Sequence, residues 1–235
     1  MCIELFLCLF LAHLVADFIL QTRRICIDKT EKRWRSPYHY GHAAVVLGLS
    51  WLVAFDLRFW WCAVIIGVSH FLIDMWKSYR EERVEWFAVD QLLHIMVLAG
   101  VSFLWCRLYD WSIPFDISPE IIAIAVAALI CWKPANIFIK LMLKHYSVNM
   151  PEENTFSGFN AGALIGNLER WLILVFVLLH RYEALGLLIA AKSIIRFGEK
   201  ETTKTEYVLA GTLLSIFIAV MAGLFVSQFY AYGIQ

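Results

Sequence analysis

The chain has 235 residues, 61% of them hydrophobic and only 17% charged, and its mean hydropathy is +0.67. A soluble fold of this composition would lack the polar residues to cover its surface, so the sequence reads as an integral membrane protein. Twenty Lys and Arg against twenty Asp and Glu give a net charge of zero, which excludes nucleic-acid binding through a broadly basic surface.

A transmembrane helix needs about 20 apolar residues, fewer inside a bundle. Eight stretches qualify: 3–22, 38–56, 59–77, 87–107, 118–140, 162–181, 183–198 and 206–230. The expected fold is therefore an all-α polytopic bundle of about eight spans, with seven to nine as the range. The first stretch lacks a basic leader and a small-x-small cleavage site and carries His13 and Asp17, so it reads as a retained span. Six scattered cysteines never form C-x-x-C and read as small apolar residues.

Thirteen Lys and Arg fall in the odd-numbered connections and three (Arg58, Arg107, Arg181) in the even-numbered ones. The positive-inside rule then places the odd connections in the cytoplasm and both termini outside. Residues 145–161, with Pro151, Glu152, Glu153, Asn154 and Gly158, form the best internal boundary. The expected organisation is a four-to-five-helix bundle over 1–145, a cytoplasmic connection over 146–161 and a second group of helices over 162–235.

In chain order, the first four spans carry His13 and Asp17, then His39 and His42, then His70 and Asp74, then Asp90, Gln91 and His94. Residues four apart share a helix face. On the deduced topology these groups fall in a common layer roughly 5–14 Å below the cytoplasmic edge. Ionisable groups at that depth must turn inward and find partners. Imidazoles with carboxylates are the donor set of zinc, manganese or iron, and facing helices can build a mono- or dinuclear site from them. The candidate ligands are His13, Asp17, His42, His70, Asp74, Asp90 and His94, and Asp17 or Asp90 is a candidate general base. These exceed one ion's shell, so either two metals bind or some side chains support others. His39 reads as a loop or supporting residue, and Gln21, Gln91 and Lys77 as further donors, with interfacial snorkelling an equal reading for Lys77. A metal-free network or a proton relay remains open beside metal binding.

AHLVADFILQT (12–22), HFLIDMWK (70–77) and DQLLH (90–94) resemble signature segments of an uncharacterised bacterial membrane family, domain of unknown function 3307. IGNLERWLIL (165–174), LIAAKSIIRF (188–197) and EYVLAGTLLS (206–215) are similar to later segments of that family. The resemblance implies a multi-pass protein of the bacterial inner membrane and no particular activity. The H-x3-D pattern is also similar in style to membrane-bound metal-dependent hydrolases.

The later spans hold a second group of charges: Lys133, Glu169, Arg170, Lys192, Arg196 and Glu206, with Asn136 nearby. Glu169 and Glu206 can be read as structural ion-pair partners, or Arg170, Lys192 and Arg196 as a pocket for an anionic head group. Gly162, Gly166, Gly186, Gly211 and Gly223 are expected at close helix contacts. Most of the Trp and Tyr residues lie near span ends, as an interfacial belt requires.

The leading expectation is a divalent-metal-dependent membrane hydrolase, with zinc ahead of manganese or iron, acting on a lipid-linked or phosphorylated substrate, with membrane lipids as partners. The alternatives are an ion- or proton-coupled transporter and a non-enzymatic scaffold whose polar networks are structural.

Overall fold

The structure is a computed structural model that describes residues 3–113, 117–146, 161–196 and 202–232, without the side chains of 161, 195, 196, 202–207 and 230–232. The expected connection at 146–161 lies almost wholly outside the described residues. So do the side chains of Arg196 and Glu206. Among the described residues every regular element is helical, and five segments are long and apolar enough to cross a membrane: Ile3–Leu20, Leu57–Lys77, Val84–Leu108, Pro119–His145 and Val208–Phe229. The chain divides into two compact units, 1–126 and 127–235.

In the first unit, α1 (Ile3–Leu14) runs directly into a π-helical segment, Val15–Leu20. Gln21 is extended and ends it, its backbone N–H donating to the Ala16 carbonyl. The short charged α2 (Arg23–Lys32) comes next and stops at Arg33, which has a positive φ of 52°. Helix α3 (Pro37–Ala54) begins with Pro37 in its first turn, where a missing N–H and a fixed φ cost nothing. It ends at Phe55 in the left-handed region. Asp56 then caps a short 3-10 turn by accepting from the Arg58 N–H, and α4 (Trp60–Lys77) starts there. Helix α5 (Val84–Leu108) has 25 residues, about 37 Å of helix, enough to cross the bilayer core.

Contacts run from α1 to α3, α3 to α4, α4 to α5 and α5 back to α1, so these four helices close a ring. One half of the ring's interior is apolar, with Leu5, Leu9, Val46, Phe59, Ile66 and Trp105 buried together. Gly67 allows α3 and α4 to approach: a Cβ there would lie 2.9 Å from the Leu47 Cβ. Gly67→Ala is therefore expected to destabilise the unit by about 1–3 kcal/mol through overpacking, read as a lower unfolding midpoint in detergent. An unchanged midpoint would show that α3 and α4 can separate freely.

In the second unit, the fifth expected span is interrupted. Helix α6 (Pro119–Ile130) reaches the boundary of the units, Cys131 and Trp132 form a turn, and α7 (Lys133–His145) restarts with Pro134 in its first turn. Pro134 has no N–H to continue the ladder, so the helix breaks just before it. Helix α10 (Thr202–Tyr232) packs on α7 and on α8 (Ala161–Leu178), and α8 contacts α9 (Tyr182–Arg196). Of the glycines expected at helix contacts, Gly223 is one: a Cβ there would come within 2.8 Å of the Val177 Cβ. Gly186 faces open space.

Candidate functional site

Asp17 lies within the π-helical segment, and such turns are common at functional sites. His13 and Asp17, four residues apart, face the same interior, with Nδ1 and Oδ1 3.8 Å apart. Across the ring, Asp17 Oδ1 accepts from His42 Nε2 at 3.1 Å and lies 3.4 Å from His70 Nε2. Three imidazoles from three helices thus converge on one carboxylate oxygen.

His94 joins them from α5. Its ring stacks on His13 with centroids 4.8 Å apart and lies 4.2 Å from the ring of His70, which in turn lies 4.9 Å from that of His42. His94 Nδ1 donates to the Asp90 backbone carbonyl at 2.8 Å. A carbonyl only accepts, so Nδ1 carries the proton and Nε2 of the neutral ring is left with its lone pair. That Nε2 is buried and has no hydrogen-bond partner, and neither has His70 Nε2. A buried nitrogen lone pair oriented by a bond at the other ring nitrogen is what a metal-ligating histidine presents. His13 Nε2 bonds Gln91 Oε1 at 3.4 Å, which leaves its Nδ1 toward Asp17.

Three groups of side chains hold their donor atoms within 4.8 Å of one another: His13, Asp17 and His94; Asp17, His42 and His70; and His70, Asp74 and His94. A tetrahedral ion with bonds of 2.0–2.1 Å sets its ligand atoms about 3.3 Å apart, so a small contraction would close any of these groups on a cation. A cavity of about 10 Å³ lies beside His13, His70 and His94 with Val46, Ile66 and Leu98 behind it, room for one water-sized sphere. His and Asp groups here could hold a metal ion.

The other two carboxylates have lysine partners. Lys29 Nζ donates to Asp74 Oδ2 at 2.5 Å, and Lys77 Nζ pairs with Asp90 Oδ2. Gln91 Nε2 also donates to Asp90 Oδ2 at 3.0 Å, while Asp90 Oδ1 is buried without a hydrogen bond. Lys77, read from sequence as a donor or a snorkelling residue, makes the first kind of contact. Lys29 is the residue that sequence reasoning missed. It belongs to a run of charges that reads as a solvated linker, and no local signal marks it as 5% exposed. All seven expected ligands therefore lie in one neighbourhood. His39 is not in a loop but in the first turn of α3, at 2% exposure, with neither ring nitrogen hydrogen-bonded and its ring edge-on to Phe71. Gln21 contributes its backbone to the end of the π-turn.

Outside the bundle, Asp28 of α2 accepts from Ser36 Oγ at 2.5 Å and pairs with Lys32. Hydrogen bonds from Lys32 first and Ser36 second hold its carboxyl below the usual range.

In the second unit Arg170 is 1% exposed. Its Nε donates to the Cys131 carbonyl at 2.6 Å, Nη1 to Ser215 Oγ at 2.8 Å, and Nη2 to Asn136 Oδ1 and Asn167 Oδ1 at 2.5 and 2.6 Å. The Cys131 carbonyl sits at the break between α6 and α7, so Arg170 fills a donor place that the interrupted ladder leaves open. Lys192 pairs with Glu169. The expected partners Arg196 and Glu206 lie outside the described side chains.

No curated protein and no solved structure matches the chain. A family model described as "Protein of unknown function (DUF3307)" matches residues 5–121. The match ends before the later segments 165–174, 188–197 and 206–215. It contains the π-turn, the four-helix ring and every residue of the His/Asp cluster, and over this first half the chain belongs to the DUF3307 family.

Proposed function

We propose that the protein is a divalent-metal-dependent hydrolase of the bacterial inner membrane, acting at the His/Asp site of its first four-helix ring on a lipid-linked or phosphorylated substrate. The observation that carries this reading is the pair of buried ring nitrogens without a hydrogen-bond partner, His70 Nε2 and His94 Nε2, in the cluster around Asp17 Oδ1. A buried polar atom without a partner costs about 1–3 kcal/mol, and a cation would remove that cost.

Charge points the same way. With the imidazoles neutral, Asp17, Asp74 and Asp90 against Lys29 and Lys77 leave one net negative charge. One divalent ion makes the site net positive by one with Lys29 in place and neutral with Lys29 withdrawn, and either way removes the negative charge that would repel an anionic substrate such as a phosphoester. Asp17 or Asp74 with two of the histidines, as in the three ligand groups, would hold the ion and leave a position open, zinc ahead of manganese or iron given the nitrogen-rich donor set. Bound there, the ion would polarise a phosphoryl or carbonyl oxygen and acidify a water. Asp90, with Oδ1 unbonded and Oδ2 held by Lys77 and Gln91, is the general base we assign.

The proposed topology keeps eight spans, with α3, α8 and α9 packed in the membrane beside the five long apolar segments and both termini outside. The organisation that goes with it is a ligand-bearing bundle to residue 145, a cytoplasmic connection over 146–161 and a lipid-contacting second part from 162. The excess of Lys and Arg in the odd-numbered connections supports this orientation, and it sets the site toward the cytoplasm.

The test is zinc-dependent turnover of phosphoesters and phospholipids by purified protein. Asp90→Asn is expected to retain bound zinc and lose about 10²–10⁴-fold in rate. No turnover by zinc-loaded protein would overturn the hydrolase assignment, and turnover that survives chelation and Asp90→Asn would overturn the metal and general-base roles. A second reading, a proton- or ion-coupled carrier, draws on the unbroken series of rings from His13 through His94 and His70 to His42. Gradient-driven uptake in proteoliposomes without turnover would favour it.

A further inference from the structure

We propose that Lys29 is a tethered cation that exchanges with the metal ion at Asp74, so that α2 covers the His/Asp site when the ion is absent and is released when it binds. This rests on the metal reading above and adds a regulation of the same site.

Helix α2 is attached in an unusual way. A short amphipathic helix normally docks through apolar side chains. In α2 the buried residue is Lys29, while of its apolar residues Ile27 is 47% exposed, Cys26 is exposed and Ile25 is half-buried. Two polar contacts pin the helix: Lys29 Nζ to Asp74 Oδ2 at 2.5 Å, and Asp28 Oδ1 to Ser36 Oγ at 2.5 Å. A segment held by few apolar contacts sits at the low-stability end of a fold and can open locally.

Asp74 has two claims on it. It anchors Lys29, and it belongs to the ligand group with His70 and His94. The same Oδ2 lies 3.7 Å from His70 Nε2 and 3.9 Å from His42 Nε2. An ammonium at hydrogen-bond distance already neutralises that carboxylate, so a cation binding there competes with it for the same charge. A divalent ion drawn in by Asp17 and the histidines competes for Asp74 with twice the charge, and a displaced Lys29 can follow α2 into water. By linkage, a change at Lys29 that weakens its pair with Asp74 must strengthen ion binding, by up to the same factor.

The experiment titrates zinc into full-length protein in detergent and follows amide hydrogen exchange of residues 23–36 together with zinc affinity. Zinc is expected to reduce the protection of α2 in the wild type. Lys29→Met is expected to bind zinc about tenfold more tightly, and that gain is expected to vanish when Asp74→Asn is the background for the comparison. Zinc binding with α2 protection unchanged, or a gain that persists with Asp74→Asn, would overturn the exchange while leaving the metal site standing. No zinc binding by any variant would remove the metal reading itself. The wild-type exchange measurement decides the matter even if Lys29→Met does not fold.

Discussion

Asp17→Asn is expected to lower zinc affinity by more than about a hundredfold with little change in the unfolding midpoint. Asp17 belongs to two of the three ligand groups, and its Oδ1 is the atom on which His13, His42 and His70 converge. It is also the carboxylate of the cluster without a lysine at hydrogen-bond distance among the described residues, whereas Asp74 and Asp90 are matched by Lys29 and Lys77. The amide keeps the shape, removes the charge and puts an NH2 that can only donate in place of one of the two oxygens that accept from the imidazoles. Competition with a chelating dye, on protein shown to be folded, measures the effect. Zinc affinity equal to the wild type would mean that the cluster holds the ion without its central carboxylate. Asp74→Asn is expected to cost less, because Lys29 already shares that oxygen.

Arg170→Met is expected to destabilise the second unit by about 3–5 kcal/mol. The substitution leaves the Cys131 carbonyl, Ser215, Asn136 and Asn167 without the donor they share, and each buried group left unmade costs about 1–3 kcal/mol. The Cys131 carbonyl is the least replaceable, since the break before Pro134 removes a backbone donor nearby. Arg170→Lys is expected to recover part of the loss, a point charge replacing a planar fork that reaches four acceptors. Unfolding of the full chain in detergent, followed by circular dichroism, gives the comparison. A stable Arg170→Met protein that has lost affinity for anionic lipid vesicles would instead make Arg170 a head-group ligand.

The two halves of the chain differ in how far their sequence alone discloses them. In the first, polar residues stand out against apolar spans, and hydrocarbon forces them inward. His13, Asp17, His42, His70, Asp74, Asp90 and His94 can therefore be placed together from spacing and depth alone. The π-turn at Val15–Leu20 has no residue signature and is not foreseen. Lys29 is hidden for a different reason: its burial depends on α2 folding back to Asp74, a contact 45 residues away in sequence. In the second half Pro134 is visible as a residue but not as a break, because the apolar run continues across it. The acceptors of Arg170 come from α7, α8, α10 and the broken turn, a convergence that helix periodicity does not encode. Span count is less legible: α3, α8 and α9 fall outside the five long apolar segments, α9 because it has only 15 residues, and hydropathy alone separates such helices poorly from packed interior ones.

The most direct test of the metal site is metal content by mass spectrometry of detergent-purified protein, compared with a folded His70→Ala, His94→Ala variant at matched concentration. The two imidazoles supply the buried, unbonded nitrogens on which the assignment rests. At least one equivalent of zinc, manganese or iron is expected in the wild type and none in the variant. No metal in the wild type after incubation with these ions, or equal metal in both proteins, would contradict the assignment.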